Sequence, residues 1–198
     1  MNTFSIKLLI ISLLVPGFLF AQGHWNRHET SDGIVVQYQA DTVKNLYKVR
    51  IESVTKTDMK VIYNRLLAID KYPELVSYCS MAKIISKKSE NDIIYTTITD
   101  TPFPLKDREV VVEMKSNVSE NEINIVVASV EGVLAPNPKY DRVNDYLAAW
   151  IIKKTPAGTS VKMTMQLTIP GFVPEWIKEQ VIFKGLSKVT LTTQNNKR

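Results

Sequence analysis

Residues 160–169 alternate without a break, with Val161, Met163, Met165, Leu167 and Ile169 on one side and Lys162, Thr164, Gln166 and Thr168 on the other. A period of two is that of an extended strand with one dry face and one wet face. The pattern recurs earlier in the chain. Tyr47, Val49 and Ile51 alternate with Lys48, Arg50 and Glu52. Further strands are predicted over residues 33–38, 82–88, 92–99, 108–118, 122–130 and 145–155 from their β-branched and apolar content. The breaks between them are short and made of turn formers: Ser89-Glu90-Asn91-Asp92, Ser119-Glu120-Asn121-Glu122 and Thr155-Pro156-Ala157-Gly158. Connections that brief join antiparallel neighbours, so an antiparallel sheet is the fold's frame.

Three helices are predicted around that sheet. Thr57 and Asp58 can cap one over residues 59–68, with Val61, Ile62, Arg65, Leu66 and Ile69 at helical spacing. Lys71-Tyr72-Pro73-Glu74 breaks and restarts the chain, giving a short helix towards Tyr78. The third is long, residues 173–193, and opens at Pro170-Gly171-Phe172-Val173-Pro174-Glu175-Trp176 with a proline where a first turn tolerates one. Trp176, Ile182, Phe183, Leu186 and Val189 share one broad arc of it, while Ile177 and Val181 lie on another side. A helix apolar on more than one side is covered from several directions, leaves a side for a ligand, or simply lies on a sheet with some scatter. The order is two strands, two helices, about six strands and one long helix. Such segregation means α+β, with helices on one face of an antiparallel sheet.

Lys7 precedes an apolar run from Leu8 to Phe20, followed by Ala21. A positive start, an apolar core shorter than the roughly 20 residues that span a bilayer and a small residue make a secretory signal peptide, residues 1–21, cleaved after Ala21. The expected destination is the periplasm or the medium. A polar lead-in, residues 22–31, and one domain, residues 32–198, make up the remainder. The single cysteine, Cys79, permits no internal disulfide. The formal charge of +5, or +4 without Lys7, is spread along the chain and lacks interleaved aromatics, which argues against nucleic acid. Weak attraction to anionic headgroups, and so transient membrane-surface contact, fits it. The protein is read as a monomer.

A bent sheet around a long helix encloses an apolar space wherever side chains do not fill it. Tyr95, Met114, Trp150, Met163, Met165, Phe183 and Leu186 are the candidate lining, with Trp176 at the start of a lid. The same residues make an ordinary core if the space is filled. Catalysis finds little support. Cys79 has only His24 and His28 as bases, both in the lead-in, and reads as a small buried residue. The histidines' four-residue spacing suits one helical face, but no third metal ligand presents itself. Neither a metal nor a cofactor is expected. Asp100 and Asp107 frame a proline turn. Arg108, between Asp107 and Glu109, is expected to anchor that turn to the sheet through its planar fork.

Three stretches in this order resemble the START domain, the steroidogenic-acute-regulatory-protein-related lipid-transfer family. They are Leu75 to Tyr78 with the following Cys79 to Ile85, Pro102-Phe-Pro-Leu-Lys-Asp-Arg-Glu-Val-Val111, and Pro170-Gly-Phe-Val-Pro-Glu-Trp176. The resemblance implies a helix-grip fold, a curved antiparallel sheet wrapped around the carboxy-terminal helix, whose tunnel holds one lipid, sterol or other apolar molecule. It implies no metal or redox cofactor, and a lid formed by residues 173–193. Glu109 stands where the family usually has aspartate, and Met114 where some members place an inward-facing arginine. The second change implies a less polar cargo. The wider superfamily contains cyclases and hydrolases, so a cavity enzyme stands as an alternative, with Tyr95, Thr97 or Tyr146 as its polar groups. A protein-interaction module with a filled core is the third.

Overall fold

The computed structural model describes residues 25–29, 35–171, 173–174 and 176–177. Among the described residues, ten strands form one sheet: β1 (Asn26–Glu29), β2 (Val35–Asp41), β3 (Leu46–Thr55), β4 (Cys79–Ser89), β5 (Asp92–Thr99), β6 (Arg108–Val118), β7 (Glu122–Ser129), β8 (Asp141–Val143), β9 (Tyr146–Thr155) and β10 (Gly158–Thr168). They run in the order β1-β2-β3-β10-β9-β7-β6-β5-β4, with β8 beside the start of β6. Every pairing is antiparallel except β6 with β8.

The tight turns fall where the turn formers stand. Ser89 pairs with Asp92 across a two-residue turn, and the Ser119 hydroxyl and amide both bond the Glu122 carbonyl. Gly158 opens β10 at φ +134°, and a Cβ there would lie 2.4 Å from the Thr55 carbonyl oxygen. Only glycine accepts that conformation and that approach. Three register shifts interrupt the β4–β5 ladder, between Cys79 and Met81, Ile84 and Ser86, and Lys87 and Ser89. Bulges of this kind bend a strand and increase its twist.

Helix α1 (Met59–Leu67) begins on Asp58, whose carboxylate accepts the Lys60 amide at 2.8 Å. Met59, Ile62, Tyr63 and Leu66 are its buried side, at the i, i+3, i+4, i+7 spacing of one helix face. Val61, expected on that side, is exposed. The Tyr63 hydroxyl fixes the helix to the hairpins through Asn91 at 2.9 Å and Ser116 at 2.6 Å. A 3-10 turn, Ile69–Lys71, leads into α2 (Tyr72–Leu75), with Pro73 in its first turn.

Two elements depart from expectation. Asn26–Glu29, read as part of a polar lead-in, is a strand paired with β2, and His28 therefore sits on an exposed edge strand and not on a helix. The three-residue β8 pairs in parallel with Arg108, Glu109 and Val110. The buried Glu109 carboxylate holds it there by accepting Arg142 Nε at 2.9 Å and Nη2 at 2.6 Å. The predicted signal peptide, residues 1–21, and residues 178–193 of the predicted closing helix lie outside the described residues.

Candidate functional site

The core is divided. One cluster gathers α1 with the inward faces of β5, β6, β7 and β9, including Ile62, Ile123, Ile125 and Ile152. The other gathers Val36, Tyr47, Val49 and Ile51 with Met163, Ile169, Val173 and Ile177. Trp150 and Met165 pack against both. Where the clusters meet there is a cavity of about 260 Å³, walled by β5, β6, β7, β9 and β10, by α2 and by Val173 and Ile177. Inward faces of five strands meeting on one space mean that the sheet curls around it.

Strand alternation decides which side chains reach the cavity. Along β6 it takes Arg108, Val110, Val112 and Met114; along β10 it takes Met163, Met165 and Leu167. Tyr95, Met114, Trp150, Met163 and Met165 thus all stand in its wall. Trp176 does not. It is 56% exposed, and its neighbour Ile177 is buried and lines the cavity instead. The first turn after Pro174 therefore presents inward the side that carries Ile177. Phe183 and Leu186 lie outside the described residues.

Arg108 does not use the acids beside it. It donates to the Lys106 carbonyl, pairs with Asp141 Oδ2 at 2.9 Å and reaches the Pro170 carbonyl at 3.4 Å. Asp107 instead accepts the Thr101 amide at 3.0 Å, closing the turn between β5 and β6. Arg108 thus links that turn, β8 and the segment that follows β10. Its fork thus engages carbonyls and a carboxylate, as an anchor of the turn requires, with the carboxylate coming from β8.

The wall's polar groups include a tyrosine trio that α2, β5 and β9 bring together. The Tyr72 hydroxyl donates to the Leu66 carbonyl at 2.6 Å, and the Tyr72 and Tyr95 rings meet edge to face at 5.9 Å. Desolvation by burial pushes the Tyr146 phenol up to about 12. Desolvation, then the neighbouring phenols, hold Tyr95 well above its ordinary range. For Tyr72, desolvation and Tyr146 outweigh the lowering by its hydrogen bond with Tyr95. All three stay neutral through physiological pH and serve as hydrogen-bonding groups. Cys79, also in the wall, is a buried free thiol. Desolvation pushes it up to about 11 despite its bond to the Met81 carbonyl. A thiol so raised is a poor nucleophile at neutral pH. Tyr72, Thr99 and Val110 belong to this wall too, and strand parity counted from Tyr95 and Met114 reaches the last two.

No family model matches the chain, and no curated protein matches it in sequence. Solved structures do match. A STAR-related lipid transfer protein from Xanthomonas axonopodis superposes with a TM-score of 0.72 at 16% identity, covering 86% of this chain and 99% of that one. Human StAR-related lipid transfer protein 5 gives 0.67 at 14% identity, over 88% and 86% of the two chains. StfQ, a di-domain ARO/CYC protein from the steffimycin biosynthetic pathway, gives 0.53 at 12% identity, covering 77% of this chain and 50% of that one. At these identities the likeness is one of fold. By its curled antiparallel sheet, its order of elements and these superpositions, the chain has a START-like fold.

Proposed function

We propose that the protein binds one apolar small molecule, a lipid, a sterol or another hydrophobic compound, in the cavity between its two core clusters. The observation that carries this is the cavity itself, about 260 Å³ walled mainly by aliphatic, methionine and aromatic side chains. Its size lies between the roughly 150 Å³ cavity that takes benzene and the roughly 300–1,000 Å³ pockets of drug-sized ligands. Unbranched, polarizable Met114, Met163 and Met165 adapt to a guest's shape. The cargo moves between membranes, and the chain acts without a cofactor, as an exported monomer cleaved after Ala21. Three apolar side chains support transient contact with a membrane surface: Val43, 93% exposed, Phe103, 96% exposed, and Trp176. Their segments are tied together by Asn45 bonding the Gly171 carbonyl and by Arg108 bonding the Pro170 carbonyl, and Lys44 and Lys106 flank them.

The cyclase-type reading rests on Tyr72, Tyr95 and Tyr146, which could orient a polyoxygenated substrate in the same space. Their neutral phenols favour holding over proton abstraction. Incubating the chain that follows Ala21 with a lipid extract and weighing the intact complex by native mass spectrometry separates the readings. Carriage predicts a one-to-one apolar adduct recovered unchanged. A chemically altered adduct would favour the enzyme, and a protein that stays empty would favour an interaction module.

A further inference from the structure

Arg108 is the first residue of β6, and its side chain is only 9% exposed. Its two terminal nitrogens are engaged by the Lys106 carbonyl, Asp141 and the Pro170 carbonyl. The third nitrogen, Nε, is buried, and its N–H has no acceptor among the described residues. Arg108 lines the cavity, and so does Thr99, its partner across the β5–β6 ladder. Nε is the guanidinium nitrogen nearest the aliphatic stem. A buried donor without a partner bears an uncompensated desolvation cost, which an incoming oxygen relieves. Asp141 already balances the guanidinium charge at 2.9 Å. A carboxylate at Nε would place a second anion on a cation that is neutralised, whereas an uncharged oxygen adds a hydrogen bond without adding charge.

Resting on the cavity as the binding site, we infer that the guest carries an uncharged oxygen acceptor, such as a ketone or ester carbonyl, which takes the Arg108 Nε–H. The rest of the guest is apolar and lies against Val110, Met163 and Met165. Arg108 is thereby both the tie that holds the segment after β10 and the point that orients the ligand. This separates the cargo from plain hydrocarbons on one side and from fatty-acid anions on the other.

Three probes of matched length test it: nonane, methyl heptyl ketone and nonanoate, each competing with a fluorescent apolar dye for the protein at neutral pH. The ketone should bind more tightly than nonanoate. On Arg108→Lys, which keeps a cation for Asp141 but lacks the Nε–H, the ratio of ketone to nonane affinity should fall about tenfold. A carbonyl-labelled ketone gives an independent reading in the parent protein, its infrared stretch moving below the position seen in hydrocarbon solvent. That reading decides the matter if the variant does not fold. A stretch at the hydrocarbon position, an unchanged affinity ratio, or tighter binding of nonanoate overturns the acceptor and leaves the cavity standing. Failure of all three probes to bind defeats the cavity reading and this inference with it.

Discussion

The two core clusters are built from the same residue types but closed differently. The first is capped by a helix whose Met59 and Ile62 are buried against the sheet, and Tyr63 fastens that helix by hydrogen bonds. The second is closed by a segment of chain, with Val173 and Ile177 as its plugs and the Arg108–Pro170 contact as its tie. A cluster fastened along a helix is close-packed and intolerant of lost volume. The cavity lies at the seam, where Trp150 and Met165 touch both sides. The molecule thus pairs a helix-fastened cluster with one that borders the cavity.

The largest effect should come from the closed side. Ile62→Ala is expected to cost about 3 kcal/mol in denaturant unfolding, with ligand affinity of the folded fraction unchanged. Loss of affinity at that site would break the division. Arg108→Ala should cost roughly 1–3 kcal/mol by stranding its buried partners. Its hydrogen-exchange protection should fall first around Ile169 and Val173 and not in α1, which would sharpen the contrast. Ala148→Leu pushes a larger side chain from β9 into the seam. Apolar ligand affinity should drop at least about tenfold, or ~1.4 kcal/mol, while the melting temperature holds or rises. A large loss of stability there would mean that the seam is already filled.

The smallest effect lies on the outer face. Lys115 and Lys88 donate to Glu113 and hold its carboxyl down at about 2, from an ordinary 4.5. A group whose folded value is lowered stabilises above its unfolded value and loses that contribution as pH falls towards the folded one. The parent should therefore lose slightly more stability than Glu113→Gln between pH 4.5 and about 2. Salt should erase the difference, since the site is near the surface.

Much of this was legible in the sequence where one face is wet. The alternation of β3 and β10 gave the strands and their inward side, because lysines and threonines mark solvent. The predicted bounds of 92–99 and 108–118 coincide with β5 and β6. Their facing was harder to read, since Ile94, Ile98 and Val111 are buried although they face away from the cavity. Strand β1 has no apolar residue, and β8 has three residues. Neither carries a periodicity long enough to detect, and their pairing partners supply the order. At the carboxy-terminal turn, helical spacing put Trp176 on the arc expected to meet a ligand and Ile177 on another side, whereas the chain leaves Pro174 with Ile177 buried and Trp176 exposed. Two of the partners of Arg108, Asp141 and Pro170, come from 33 and 62 residues away, beyond any local pattern.

The most direct measurement is a methyl NMR titration of the protein, labelled at methionine, with a small apolar ligand. Met114, Met163 and Met165 stand in the cavity wall, while Met59 on α1 and Met81 on β4 lie outside it. Saturable shifts of the first three at one ligand per protein, with Met59 and Met81 unmoved, are predicted. Silence from Met114, Met163 and Met165 under conditions where the ligand binds would contradict a guest at the seam.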